Sequence, residues 1–285
     1  MVFFEQARRD FHSELTKHGV LCIDKNGVAS NADTGQKGSK DVALVIAKAL
    51  GAPTVPTKLD GQTAGDLFEK LFVTFVRNTF TQLNHLRPGI WEIRHIRGRD
   101  KIAIAEFEQY AHLAELAALA RVTPALAIAL GSDYAIAPDI LVIRGLEKDA
   151  QINSRAQLVD AEVTRLASLR EVNGGNPILH ASISCKWTLR SDRAQNARSE
   201  ALNLVKNRKG RLPHVVVVTG EPMPARIASV ALGTGEIDCV YHFALYELKA
   251  ALTELQRDDS LALLETMIVG KRLKDISDLP LDLAV

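Results

Sequence analysis

What this chain has little of narrows the field first. Only three cysteines occur in 285 residues, Cys22, Cys185 and Cys239, odd in number and widely scattered. That excludes a disulfide framework and points to reduced thiols in a cytoplasm. Cys239 and His242 have no second ligand pair in their neighbourhood, which excludes a zinc site built on them. No apolar run approaches the roughly 18 residues that a membrane span needs. The N-terminus, with Glu5, Arg8, Arg9 and Asp10, lacks the apolar core of a signal peptide. The expected setting is the cytoplasm, with no membrane partner. Gly35, Gly38, Ser39 and Lys40 do not make a phosphate-binding loop, because the Gly-Lys-Ser/Thr order and a preceding apolar strand are both missing. Excess charge is missing too: 35 Lys and Arg against 34 Asp and Glu leave a net charge of +1. A domain that only binds nucleic acid is usually more basic.

What is present describes an ordinary globular chain, 47% hydrophobic and 24% charged, long enough for a substantial core. No internal repeat, low-complexity block or clear linker interrupts it. Periodicity predicts helices over 3–18, 41–50 and 63–86, the last with Leu67, Leu71, Phe75 and Phe80 inward. A polar loop is expected over 26–40. Trp91 to Ile96 alternates as a half-buried strand. Residues 103–130 read as helical, with Pro124 starting a new segment. Strands are expected over Tyr134 to Ile143, Ile178 to Thr188, Val215 to Thr219 and 237–242. A helix is expected over 191–206, two more to about 269, and an irregular tail after Gly270. A strand, helix and buried strand in succession imply a parallel crossover. The expectation is one α/β domain over 1–285, a mixed central β-sheet flanked by helices, with its core at about 131–243 and a helical N-terminal part over 1–130.

Three residues at the ends of these elements form a chemically suggestive set. Asp139 lies inside Ala135-Ile136-Ala137-Pro138-Asp139-Ile140-Leu141-Val142, where a charge is costly to bury unless paired or bound to metal. Pro138 breaks the strand ladder there, freeing the acid to face a cleft. A neighbouring arginine satisfying Asp139 is the ordinary alternative. Ser184 and Lys186 share one face of their strand, Ile183 and Cys185 the other. Lys186 can snorkel to solvent; opposite Asp139 it can instead orient an attacking water and stabilise a pentacovalent phosphoryl group. Glu200, fourteen positions after Lys186, falls on the margin of the stripe formed by Ala194, Ala197, Ala201 and Leu204, so it turns toward the sheet unless it is a plain surface acid. Two acids and the Cys185 carbonyl, beside a lysine, can fix Mg²⁺ for phosphodiester hydrolysis. The Cys185 thiol has no histidine nearby in sequence to activate it. The near-zero net charge fits a nuclease, whose metal-binding acids subtract from the total.

Arg190, Asp192 and Arg193 open the helix that carries Glu200. Arginine pairs with guanine O6 and N7, and aspartate accepts from cytosine N4, so Arg-x-Asp-Arg at a helix start suits G·C edges in a major groove. A simple Asp192 salt bridge is the plainer reading. Arg94, Arg97, Arg99 and Lys101, and separately Lys206, Arg208, Lys209 and Arg211, are either phosphate contacts or solvated surface.

Together these residues resemble the type II restriction endonucleases that recognise sites with a CCGG core. The resemblance covers nearly the whole chain. It is densest over Gly131-Ser132-Asp133-Tyr134 to Asp139, His180 to Gly210, Gly233 to Leu248 and the tail from Gly270 to Val285. It is weakest in the N-terminal third and over 145–176. Lys186-x13-Glu200 matches that family's displaced nuclease motif, with the second acid moved from the strand to the helix. The resemblance implies a PD-(D/E)xK core, with Mg²⁺ around Asp139 and the Cys185 carbonyl. Lys186, Glu200, Ser184 and Glu69 would complete the site, although the residues alone gave Glu69 no special status. It implies that Arg190, Asp192 and Arg193 read the CCGG core of double-stranded DNA. Gln62 and Arg226 match positions that read an outer base pair, which points to GCCGGC. It implies a homotetramer of two back-to-back dimers, and a partner methyltransferase protecting the host genome. A structure-specific repair or recombination nuclease, and a non-catalytic DNA-binding regulator on the same fold, are the alternatives.

Overall fold

A computed structural model describes residues 2–96, 102–123, 125, 128, 135–136, 138–233 and 235–285. Gly131 to Tyr134, Arg97, Arg99, Lys101, Pro124 and Ala137 therefore lie outside the described residues. The strands are β1 (Ile23–Asp24), β2 (Thr54–Val55), β3 (Trp91–His95), β4 (Ile102–Ala103), β5 (Ala135–Ile136), β6 (Ile140–Arg144), β7 (Ile178–Lys186), β8 (His214–Thr219), β9 (Cys239–His242) and β10 (Leu273–Asp275). The helices are α1 (Phe3–Lys17), α2 (Lys37–Ala49), α3 (Gly61–Phe80), α4 (Leu113–Val122), α5 (Asp149–Ile152), α6 (Ser191–Asn207), α7 (Pro224–Ala231), α8 (Leu245–Glu254), α9 (Asp258–Val269) and α10 (Leu279–Asp282).

Six of the described strands make one mixed sheet in the order β10-β9-β8-β7-β6-β3. The β3–β6 and β6–β7 pairs are antiparallel, and β7–β8, β8–β9 and β9–β10 are parallel. Val215 to Val218 are buried in succession, as are Ile140 to Ile143 and Leu179 to Cys185. Both faces of the sheet's middle are thus covered, which is why these strands read as continuous apolar runs. In the edge strand β3 only Ile93 is buried. The α6 helix joins β7 to its parallel neighbour β8, as the strand-helix-strand pattern anticipates.

An aromatic row connects the N-terminal helices to the end of β7. Phe11 of α1 meets Phe72 and Phe75 of α3 at ring distances of 5.8 and 5.4 Å. Phe68 meets Trp187 at 5.0 Å, and Trp187 meets Phe243 at 5.2 Å. Glu69 follows Phe68 and Lys186 precedes Trp187, so this packing delivers α3 to the strand end. Arg8 forks onto Glu247 and fully buried Asp275, tying α1 to α8 and β10.

Several expectations are corrected. Tyr134 to Ile143 is not one strand: β5 pairs with β4, β6 begins at Ile140, and Pro138-Asp139 lie between them. Residues 103–112 hold a strand end and two short 3₁₀ turns, so helix begins only at Leu113. The inward face of α3 is Phe68, Phe72, Phe75, Val76 and Phe80, whereas Leu67 and Leu71 are only half-buried. The polar loop ends early, because α2 starts at Lys37 and buried Ser39 accepts the Asp33 N–H at 2.8 Å. The tail is not irregular: Leu273, Ile276, Leu279 and Leu283 are buried, and Leu273–Asp275 extends the sheet beside β9. Among the described residues no helix is long and apolar enough to cross a membrane.

Candidate active site

Asp139 sits in the bend just before β6, where β6 and β7 part. The last paired residues are Ile140 and Ile183, and the Asp139 side chain takes over where the ladder stops. Its Oδ2 accepts the Cys185 N–H at 2.6 Å and Lys186 Nζ at 2.7 Å. Among the described residues the side-chain partner of Asp139 is therefore a lysine, not the arginine considered from sequence. Ser184, on the Lys186 face of β7, donates from Oγ to Glu200 Oε2 at 3.2 Å. Glu200 thus turns to the sheet, flanked on α6 by buried Ala197, Ala201 and Leu204. Glu69 comes from α3, with Oε2 3.2 Å from His95 Nε2 on β3.

Electrostatics bind these groups into one site. Burial, then the charge of Asp139, pushes the Glu69 carboxyl up to about 8 against the pull of Lys186. Burial pushes Glu200 up to about 7, with Lys186 pulling down and Asp139 adding to the rise. Burial pulls Lys186 down, but the charge and hydrogen bond of Asp139 and the charge of Glu200 outweigh it, leaving the ammonium raised. Burial, with Asp139 and Glu69, lifts the Cys185 thiol well above its usual range, so it stays protonated and inert. Three acids crowd one lysine, an excess of negative charge that a divalent cation would relieve. Among the described residues no group of three or more His, Cys, Asp or Glu side chains is placed to hold a metal.

The residues expected to read DNA lie at the starts of three helices. Arg190 is the exposed N-cap of α6. Asp192 and Arg193 follow in its first turn, with their side chains outside the described part of the structure. Arg226, in the first turn of α7, bonds through Nη2 to Asp33 Oδ2, and its Nη1 lies 3.7 Å from Glu221 Oε2. Gln62 is exposed in the first turn of α3, which Asp60 caps by accepting the Gln62 and Thr63 N–H groups at 3.0 Å. Glu69 lies seven positions after Gln62, so both lie on one face of α3, about 10 Å apart along it.

Residues 11–285 match the family described as NgoMIV restriction enzyme. The chain is also 57% identical over 282 residues to the type II restriction enzyme NgoMIV of Neisseria gonorrhoeae, covering 99% of both chains. The chain belongs to the NgoMIV restriction enzyme family. It is a type II restriction enzyme, a site-specific deoxyribonuclease, and DNA is its substrate. Membership in the NgoMIV family implies a PD-(D/E)xK core within the mixed sheet.

Sequence reasoning passed over three residues that the structure brings to the candidate catalytic and DNA-reading residues. His95 meets Glu69, Asp33 holds Arg226, and Glu221 lies between α6 and α7. Glu221 carried a legible signal, an acid just past the apolar run of β8 and followed by proline, as Asp139 follows one. Asp33, in a polar loop, carried none. The basic clusters divide. Arg94 pairs with Glu92 and Glu106. Lys206, Arg208, Lys209 and Arg211 sit at or beyond the C-terminal end of α6, about 25 Å from Arg190, since the helix has 17 residues.

Proposed function

We propose that this enzyme cuts both strands of a palindromic CCGG-core site, GCCGGC, with Mg²⁺. The observation that carries the reading is the meeting of Asp139 and Lys186 at 2.7 Å beside the Ser184–Glu200 pair. Asp139 and the Cys185 carbonyl would hold the ion, with Glu69, Glu200 and Ser184 completing the polar shell. Bound there, Mg²⁺ supplies charge to the phosphoryl oxygens and lowers the pKa of its water. Lys186, held as a cation, orients the attacking water and opposes charge on the phosphoryl group rather than acting as a base. Glu200, near half-protonation at neutral pH, can accept a proton or return one.

Arg190, Asp192 and Arg193 are assigned to the CCGG core, as donors and acceptors for G and C edges at a helix start. Gln62 and Arg226 are assigned to the outer pair. Their positions support this, since Gln62 shares a helix face with Glu69 and Arg226 opens α7 beside the start of α6. The enzyme works as a single domain in the cytoplasm, where a methyltransferase shields the host's own sites. A homotetramer is supported by Leu158, Val163, Leu166 and Val172, large apolar side chains exposed on one segment. That segment is ordered by Arg170, which bonds Asp149, the Val163 carbonyl and the Asp160 carbonyl.

Digestion of one sequenced plasmid with Mg²⁺ tests the whole reading. Discrete fragments with ends mapping to GCCGGC are expected. Ends at CCGG sites whatever the outer pair would refute the roles of Gln62 and Arg226. A smear, or cutting only at branched junctions, would refute sequence-specific restriction.

A further inference from the structure

Glu221 follows the C-terminal end of β8 and is fully buried. Its Oε2 accepts the Leu189 N–H at 2.9 Å and lies 3.7 Å from Arg226 Nη1. Its Oε1 accepts the Met223 N–H at 3.2 Å. Leu189 immediately precedes Arg190, the N-cap of α6, and Met223 is the N-cap of α7. Neither cap residue bonds its own helix start through a side chain. One carboxylate therefore grips the entry of both helices and faces the guanidinium on the second.

The backbone around this carboxylate is itself pinned. The Glu221 N–H donates to Thr219 Oγ1 at 3.1 Å. His242 Nδ1 accepts the Ala244 N–H at 3.1 Å, so its Nε2 carries the hydrogen that the Glu221 carbonyl accepts at 3.1 Å. Asn31 donates to the Gly220 carbonyl at 2.7 Å, bringing in the loop that carries Asp33. A buried carboxylate is costly unless each lone pair is used, and here the uses converge on the two helix starts that flank the DNA-reading side chains.

We infer that Glu221 is a positioning residue for sequence reading. It locks the start of α6, with Arg190, Asp192 and Arg193, to Arg226 on α7, so that core and outer base pairs are read as one rigid unit. The inference rests on the proposed reading roles of those side chains. Bidentate base contacts discriminate only when donor and acceptor are held to within about half an ångström. Glutamine at this position keeps the shape but turns an NH₂ toward one of the two N–H donors and removes the charge facing Arg226.

The test is cleavage at enzyme excess, with Mg²⁺, of the mapped site and two altered palindromes. For GCCGGC these are ACCGGT, changed in the outer pair, and GCATGC, changed in the core. For Glu221→Gln, the preference for the cognate site is expected to fall ~10-fold or more against both altered sites. Arg226→Ala is expected to lower only the outer-pair preference. A fall confined to the outer pair in Glu221→Gln overturns the coupling. Slower cleavage of all three sites with unchanged preference also overturns it. Should Glu221→Gln not fold, the same ratios are read in Glu221→Asp, whose shorter side chain cannot reach both N–H groups. Failure of both variants to fold assigns Glu221 to stability and overturns the inference. An unchanged outer-pair preference in Arg226→Ala would sink the reading of Arg226 alone, because the core ratio of Glu221→Gln still reports on α6.

Discussion

Both contacts to the Asp139 carboxylate, from the Cys185 N–H and from Lys186 Nζ, fall on Oδ2. Among the described residues both donors thus use one oxygen and leave the other without a bond, an arrangement suited to an acid that must present a lone pair to an ion or a water. The lysine's part is separable from binding. Lys186→Ala is expected to slow cleavage at least ~100-fold, the scale seen when one preorganised charge is removed from a reacting centre. Specific DNA affinity should change little, because the side chains proposed to read DNA are on other elements. Single-turnover cleavage with a parallel gel-shift titration measures both, and cleavage at the original rate would remove Lys186 from the mechanism. The inert neighbour was legible in advance: Cys185 lacks an activating base in sequence, and in the fold its thiol is buried and raised.

At the scale of elements, the site depends on how the ends of β7 and β8 fit against α3. A side chain at Gly220 would place its first carbon 2.5 Å from the Trp187 ring and 2.9 Å from the Trp187 carbonyl. Trp187 is wedged between Phe68 and Phe243, so neither its ring nor its backbone can retreat. Gly220→Ala is expected to cost ~1–3 kcal/mol or more, the range for overpacking a filled core. Chemical denaturation measures this, and unaltered stability would show that the wedge yields. The elements themselves were largely readable from periodicity, since α1, α2, α6, β3, β7 and β8 lie within a few residues of their expected bounds, while α3 ends at Phe80, six residues before its expected end. The failures share a cause. Tyr134 to Ile143 and the tail are sequences whose local pattern was overruled by pairing with distant strands, β4 in one case and β9 in the other.

For the whole molecule, buried titrating groups set opposing pH dependences. Burial lowers His180 to about 3 and His242 to about 4, so the unfolded chain binds their protons first. That stability is intact above about pH 6.5 and is lost as pH falls toward 4, at up to ~1.4 kcal/mol per pH unit for each histidine. Glu69 and Glu200, raised to about 8 and 7, act in the opposite sense: the folded chain binds their protons first, so their strain is relieved as pH falls from 8 toward 4.5. Metal-free protein should therefore be most stable between about pH 5 and 7. Melting temperatures in EDTA measure this, and Glu69→Gln should flatten the alkaline limb. A monotonic rise up to pH 8 would contradict the crowding of acids around Lys186. Assembly is a second property at this scale. Leu166 is 96% exposed, and Leu166→Asp is expected to reduce the proposed tetramer to dimers in sedimentation, whereas an unchanged mass would place the interface elsewhere.

By itself the sequence determined the strand and helix alphabet of the core, the placing of an acid and a lysine at strand ends, and the position of Glu200 on the margin of its helix's buried stripe. Those follow from local periodicity and from the cost of burying charge, which act over a few residues. Only the tertiary structure decided that Asp139 is answered by Lys186 and the Cys185 N–H, that Glu69 arrives from a helix some 70 positions away in sequence from Asp139, and that Glu221 joins two helix starts. Such contacts depend on where the chain returns after long excursions. The residues involved carry no periodicity of their own, and no pattern in their neighbours marks the partner they will meet.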